Sequence, residues 1–283
     1  MILFKYASDL RNHLLAVEKR GVTIGFVPTM GALHEGHIQL VREAQKACDI
    51  VVVSIFVNPT QFNDPKDFEK YPITIPADIE KLEKNGTSVL YLPSANEIYP
   101  NGMTALETYP LGNLENVFEG AFRAGHFQGV CQVMSRLLRT VEPHQLYMGR
   151  KDFQQCCVIQ KLLELLNLRT ELMICDTVRE PDGLAMSSRN RRLNAEERIN
   201  ALGIYKALLL FQNELPHRSI AELKIEALAL LGAHKFRVDY VEVANAKTLD
   251  TISQYDLHKE TVILIAAFQG ETRLIDNMLI PVQ

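Results

Sequence analysis

Cysteine is scarce in this 283-residue chain. There are five, an odd number at irregular spacings. No CxxC pair occurs, and the adjacent Cys156 and Cys157 are poorly placed to bridge each other. A disulfide framework is therefore excluded, and a reducing cytoplasm is the simplest setting. An excess of positive charge is also missing. Lys and Arg total 30 against 34 Asp and Glu, a formal net charge of -4. No general basic field exists to hold a nucleic-acid backbone. Long apolar runs are absent too. Segments such as 262–268 fall far short of the ~20 residues a membrane span needs. The first residues carry no basic stretch followed by an apolar one, which argues against a secretory signal. The expectation is a cytoplasmic protein with no membrane or nucleic-acid partner. Hydrophobic residues make up 47% and charged residues 23%, which excludes disorder as the main theme. The length allows one large domain or two modest ones.

What is present alternates between helical and strand patterns. Ser8 is placed to cap a helix over 8–19. A strand over 23–27 is stopped by Pro28. A helix over 36–47 follows, with Ile38, Leu40, Val41 and Ala44 apolar. The β-branched run 50–57 fits a strand buried on both faces, as in a parallel sheet covered by helices. Further helices are expected at 78–85 and 153–166, and strands at 88–92, 144–148 and 171–175. This succession is the βαβ signature of an α/β, doubly wound parallel sheet. Segment 59–76, rich in Pro, Asp and Asn, reads as an ordered loop. The glycine-bearing stretch 99–129 reads as a functional loop. Near residue 176 the character changes. Helices at 194–213 and 219–231 precede strands at 236–243, 261–268 and 272–280, with a hairpin turn at 269–271. The expected division is 1–175 and a smaller α+β domain over 176–283.

The first chemical signal is PTMGALHEGH at 28–37, between the first strand and the second helix. An open α/β sheet presents ligands there, outside the carboxyl end of a strand. Gly31 and Gly36 let backbone approach a ligand closely. The helix start offers free N–H groups and a positive dipole, which suits phosphate. His34 and His37, three apart, are placed to face the same way and stabilise charge developing at phosphorus. Three plainer readings compete: a metal pair, ordinary surface or core histidines, and a turn with no ligand. No further His or Cys follows at ligand spacing to complete a metal set.

Other segments add to it. In GRKDFQQ (149–155), Lys151 supplies a point charge for phosphate. Asp152 is placed to cap a helix, which is compatible with a ribose or magnesium role. In FVNPTQF (56–62), Asn58 and Gln61 each donate and accept, as a substrate with hydroxyl and carboxylate requires. In DGLAMSSRN (182–190), two hydroxyls and a guanidinium sit where a mobile loop can close over a triphosphate.

The HxGH segment resembles the HIGH motif of nucleotidyltransferases and class I aminoacyl-tRNA synthetases, and the Ser-Ser-Arg loop resembles their second ATP-binding element. HxGH, FVNPxQF, KDFQQ and DGLAxSSRN, in this order and with RAGHF at 123–127, are similar to the pantothenate synthetase family. The resemblance spans roughly 23–192. It implies a Rossmann-like fold, a homodimer, a magnesium requirement, and condensation of pantoate with β-alanine using ATP. His37 would be the proton donor, acting with His34 and Lys151. Met30, Gly31, Ala32, Leu33, Glu35, Gly36, Gly149, Arg150, Asp152, Val178, Met186, Ser187, Ser188 and Arg189 would join them around ATP. Gln61 and Gln155 would hold pantoate, with Gln61 also near β-alanine, and Asp152 would meet the metal. Arg150 and Thr60 depart from the family, which has Glu or Gln, and commonly Met, at those places. Other adenylyltransferases, a synthetase, or a nonenzymatic nucleotide-binding module are the competing assignments. FVNPxQF and KDFQQ argue against the first. Net charge and the lack of length for an anticodon domain argue against the second, and the presence of His34, His37 and Lys151 against the third.

Overall fold

The computed structural model describes residues 1–282. Nine strands occur among them: β1 Ile2–Phe4, β2 Ile24–Thr29, β3 Ile50–Ile55, β4 Val89–Tyr91, β5 Gln145–Gly149, β6 Glu171–Cys175, β7 Arg237–Asn245, β8 Thr261–Gln269 and β9 Thr272–Ile280. The chain divides into two compact units, 1–149 with 155–176, and 150–154 with 177–283.

The first unit holds a six-stranded sheet in the order β1-β4-β3-β2-β5-β6, with every pair parallel. Its strands are apolar on both faces, as a sheet covered twice by helices requires. Phe26, Val52, Tyr91 and Leu146 face a core shared with helices Ala7–Glu18, His126–Val141 and Phe153–Leu165. Val27, Val53, Leu90 and Tyr147 face a second core with helices Glu35–Ala47 and Ile75–Lys84. The strand order reverses between β2 and β5, the switch point where such sheets open a crevice at their carboxyl ends. The second unit is an antiparallel sheet, β7-β8-β9. Helices Leu202–Glu214 and Ile220–Ala233 pack on it around Ile204, Phe211, Leu223 and Leu231.

Several expectations are corrected. Ser8 does not cap the first helix, which starts at Ala7 without a side-chain cap. The N–H of Ala7 donates instead to Glu97 Oε1 at 2.8 Å. Pro28 does not stop β2 and pairs opposite Ser54. Carbonyls of Thr23 and Thr29 bond β3, so the alternate residue 28 faces β5. The β5 ladder ends at Phe26, and the N–H that proline lacks is not needed there. The loop read at 59–76 contains the short helix Pro65–Glu69 and the start of Ile75–Lys84. The expected helix at 194–213 is two, Ala195–Asn200 and Leu202–Glu214.

The largest miss is helix His126–Val141, whose start lay inside the glycine-bearing stretch. Twelve of its 16 residues are buried, yet Gln128, Gln132, Arg136 and Arg139 recur every three or four positions. The helical rhythm is therefore present in the sequence and is masked by the glycines around it. It begins after Gly125 with no side-chain cap and carries Gly129, a poor helix former. That glycine is there for contact. A Cβ on it would lie 2.2 Å from the carbonyl oxygen of Thr60.

Candidate active site

The turn after β2 is held from beneath by a buried carboxylate. Asp78 accepts the N–H of Ala32 at 2.9 Å and that of Leu33 at 2.8 Å. Thr74 Oγ1 donates to it at 3.1 Å. Lys81 Nζ, one turn along the same helix, donates to the Leu33 carbonyl at 2.6 Å. Gly31 has φ +82, and a Cβ there would crowd Ile55 at 3.1 Å and Asp78 at 3.2 Å. Ala32 and Leu33 are fully buried and their N–H groups are committed to Asp78. They shape the turn rather than offering side chains to a ligand.

The turn delivers His34 to the N-cap of helix Glu35–Ala47 and His37 to its third position. The two rings lie 4.1 Å apart between centroids. His37 Nδ1 accepts the backbone N–H of His34 at 3.2 Å. A ring nitrogen that accepts carries no proton, so His37 holds its proton on Nε2. Both rings are half-buried, while Glu35 is exposed and pairs with Arg42. Histidine donors on a helix N-terminus form a site for phosphoryl oxygens.

Gln61 is the second predicted residue brought to this place. Its Nε2 donates to Met30 Sδ at 2.9 Å. It closes the 3-10 turn Pro59–Gln61, which follows β3 in the chain as 30–37 follows β2. Asn58, buried, ties that turn down. Its Nδ2 reaches Thr60 Oγ1, Gln61 Oε1 and the Gly129 carbonyl at 3.0, 3.3 and 3.1 Å. Its Oδ1 accepts from Tyr99 OH at 2.7 Å. Burial pushes the Tyr99 phenol up, against the pull of Thr60, Arg136 and Asn58, so the group stays a neutral donor. Thr60 adds its hydroxyl to this polar network. His126 holds the Gln61 carbonyl, Nδ1 to O, at 2.7 Å, with Arg123 Nη1 on its Nε2 at 3.0 Å. A guanidinium only donates, so Nε2 accepts and Nδ1–H donates to Gln61. RAGHF thus serves the backbone of the Gln61 turn. Gly149 ends β5, and Gln155 lies in the first turn of helix Phe153–Leu165.

The remaining predicted residues belong to the second unit. Arg150, Lys151 and Asp152 form a 3-10 turn. Lys151 Nζ lies 3.6 Å from Asp152 Oδ1, with the lysine mostly buried and the carboxylate half-exposed. Val178 and Met186 close a hairpin, Met186 N–H to Val178 O at 3.0 Å. Ser187 caps the turn Ser188–Arg192 by accepting the Arg189 N–H at 3.3 Å. Asn190 Nδ2 donates to the Ala185 carbonyl at 3.0 Å. Sequence reasoning missed the roles of Asp78, Lys81 and Tyr99. Asp78 stood out only as an acidic residue in the first turn of an amphipathic helix, which points to its own helix and not to the turn it holds.

The family model for pantoate-beta-alanine ligase matches residues 2–279. The chain belongs to the pantoate-beta-alanine ligase family. It is 42% identical over 271 residues to the pantothenate synthetase of Bacteroides fragilis, covering 95% of each chain. The crystal structure of pantothenate synthetase from Thermus thermophilus matches at TM-score 0.90 and 37% identity, covering 98% of this chain and 99% of that one. The pantoate-beta-alanine ligase of Francisella tularensis, crystallised with beta-gamma ATP and β-alanine, matches at TM-score 0.83 and 36% identity. It covers 99% of this chain and 97% of that one. Membership places the chain among ligases on a Rossmann-like nucleotidyltransferase fold with a C-terminal α+β part. Among the described residues no helix is long and apolar enough to cross a membrane.

Proposed function

We propose that the chain joins pantoate to β-alanine in two steps through pantoyl adenylate. A carboxylate oxygen of pantoate attacks the α-phosphorus of ATP, and the bond to the β-phosphate oxygen breaks, releasing diphosphate. The amine of β-alanine then attacks the activated carbonyl. A C–N bond forms, the bond from carbon to the AMP oxygen breaks, and the amine loses a proton. Adenylation is needed because a free carboxylate is a poor acyl donor. The first step is mainly positioning and charge stabilisation.

The observation that carries this reading is the paired His34 and His37 at a helix start, with the His37 proton on Nε2. His37 donates to the phosphoryl oxygens as charge builds, beside His34 and Lys151. Met30, Gly31, Gly36, Gly149, Val178 and Met186 line the nucleotide, and Ser187, Ser188 and Arg189 clamp its phosphates. Gln61 and Gln155 hold pantoate, with the Gln61 turn fixed by Asn58, His126 and Gly129.

The residues also fit magnesium. This ion keeps several waters and uses one or two carboxylates plus substrate phosphates rather than a protein cage. Asp152 offers one half-exposed carboxylate, and no cluster of three or more metal-ligating side chains occurs among the described residues. Bound there with the nucleotide, the ion supplies neutralisation of phosphate charge. The enzyme works as a cytoplasmic homodimer, as the family resemblance implies.

The test measures diphosphate release from ATP with pantoate, with pantetheine phosphate, or with amino acid plus tRNA. Release that requires pantoate, followed by AMP release that requires β-alanine, is expected. Release with pantetheine phosphate or with amino acid instead would overturn the reading.

A further inference from the structure

Lys151 and the Ser-Ser-Arg loop are separate in sequence, yet one buried network in the second unit reaches both. It is centred on Asp276 and Asn277 of β9, only 5% and 4% exposed. Asn277 Nδ2 donates to the carbonyls of Arg150 and Lys151, both at 2.9 Å. Its backbone N–H donates to Asp276 Oδ1 at 2.8 Å. Asp276 in turn receives Arg179, with Nη1 to Oδ2 at 2.6 Å and Nη2 to Oδ1 at 3.1 Å. Arg179 stacks 4.5 Å over the ring of Tyr205 and gives Nη1 to the Gly183 carbonyl at 3.1 Å. Gly183 lies at the tip of the hairpin that runs into Ser187.

The chemistry of each link is demanding. A buried guanidinium–carboxylate pair with two-point geometry fixes direction as well as distance. One amide nitrogen on two successive carbonyls defines the path of the backbone between them. That path sets where the Lys151 side chain leaves the chain. Such a pair adds little net stability over an apolar replacement, so its value lies in position.

We propose that Asn277, held by Asp276 and Arg179, is a positioning residue for Lys151, and that the same network sets the hairpin carrying Ser187, Ser188 and Arg189. This rests on the assignment of Lys151 and that loop to the nucleotide. A misplacement of about 1 Å costs on the order of a hundredfold in rate.

Wild type, Asn277→Ala, Lys151→Ala and the double variant are compared in full-length enzyme. The measurements are pantoate-dependent ATP–diphosphate exchange, ATP dissociation constants, and thermal melting. Asn277→Ala should lower the exchange kcat about a hundredfold well below its melting temperature, with KM for pantoate changed less than about twofold. For ATP affinity the double variant should be no weaker than Lys151→Ala alone, because residues that act through one another are not additive. Wild-type exchange in folded Asn277→Ala, or additive losses in the double variant, would overturn the inference. Should Asn277→Ala fail to fold, Asp276→Asn, which keeps volume and removes the charge that Arg179 needs, is read instead. Because it loosens the hairpin as well, it should lower exchange kcat and weaken ATP binding further when combined with Lys151→Ala. Wild-type exchange and ATP affinity in folded Asp276→Asn would overturn the inference. Absence of pantoate-dependent exchange in wild type would instead overturn the functional reading.

Discussion

Asp78 accepts the backbone N–H of Leu33 at 2.8 Å, and its other oxygen takes that of Ala32 at 2.9 Å. One carboxylate thereby fixes the turn that aims both histidines. Asp78→Asn offers an NH2 where one N–H must be received. Bonds to a charged acceptor are worth about 1.5–3 kcal/mol, so a stability loss of about that size is expected in denaturant melts. The exchange kcat should fall with it. Unchanged stability and kcat would show that the turn holds itself.

His37 presents its Nε2 proton because Nδ1 is occupied by the His34 backbone. His37→Ala should cut adenylate formation by about 10²- to 10⁴-fold, the usual worth of a positioned proton donor. Circular dichroism should be unchanged, since the ring is half-buried rather than core. Near-normal single-turnover adenylation would remove His37 from the mechanism.

Gln61 lies against Met30 and Asn58. Gln61→Ala should raise KM for pantoate about tenfold or more while ATP affinity stays within about twofold. This magnitude corresponds to the loss of one or two hydrogen bonds to a charged ligand. Equal losses for both substrates would count against a separate pantoate subsite.

The parallel sheet was legible because runs such as 50–55 are β-branched and apolar but for Ser54, and the HxGH segment because glycines and histidines at fixed spacing are rare by chance. Helix His126–Val141 carries a polar stripe at helical spacing, but Gly125 before it and Gly129 inside it read as loop signals and hid its start. Asp78 was hidden for another reason. Its partners are backbone groups more than forty residues away, and no side-chain pattern announces a backbone contact. The Asn58–Tyr99–Gly129 network was half visible. FVNPTQF and RAGHF could each be seen, but only the fold shows that Gly129 and His126 serve the Gln61 turn.

The cysteines provide a check on burial. Burial pushes the Cys131 thiol up to about 12 and the Cys157 thiol up to about 11. The thiolate is the reactive form, and at pH 8 roughly one Cys157 in a thousand is ionised. Neither residue should react with iodoacetamide in the folded enzyme over minutes, and both should react in denaturant. Rapid labelling of Cys131 in the native state, read by peptide mass, would contradict the core described.

Gly129 gives the most direct test of how the Gln61 turn is held. A Cβ there would sit 2.2 Å from the Thr60 oxygen and 2.6 Å from the Gln61 nitrogen. Both are backbone atoms, so no side-chain rotation relieves the clash. Gly129→Ala would gain helix propensity by about 1 kcal/mol, yet overpacking costs about 1–3 kcal/mol, and the second effect should win. Relief requires the turn to move off the helix, breaking the Asn58 bond to the Gly129 carbonyl and shifting Gln61. The expected result is a lower melting temperature together with a higher KM for pantoate, with ATP affinity nearly kept. A stabilised variant with unchanged KM would mean that turn and helix are not in this contact.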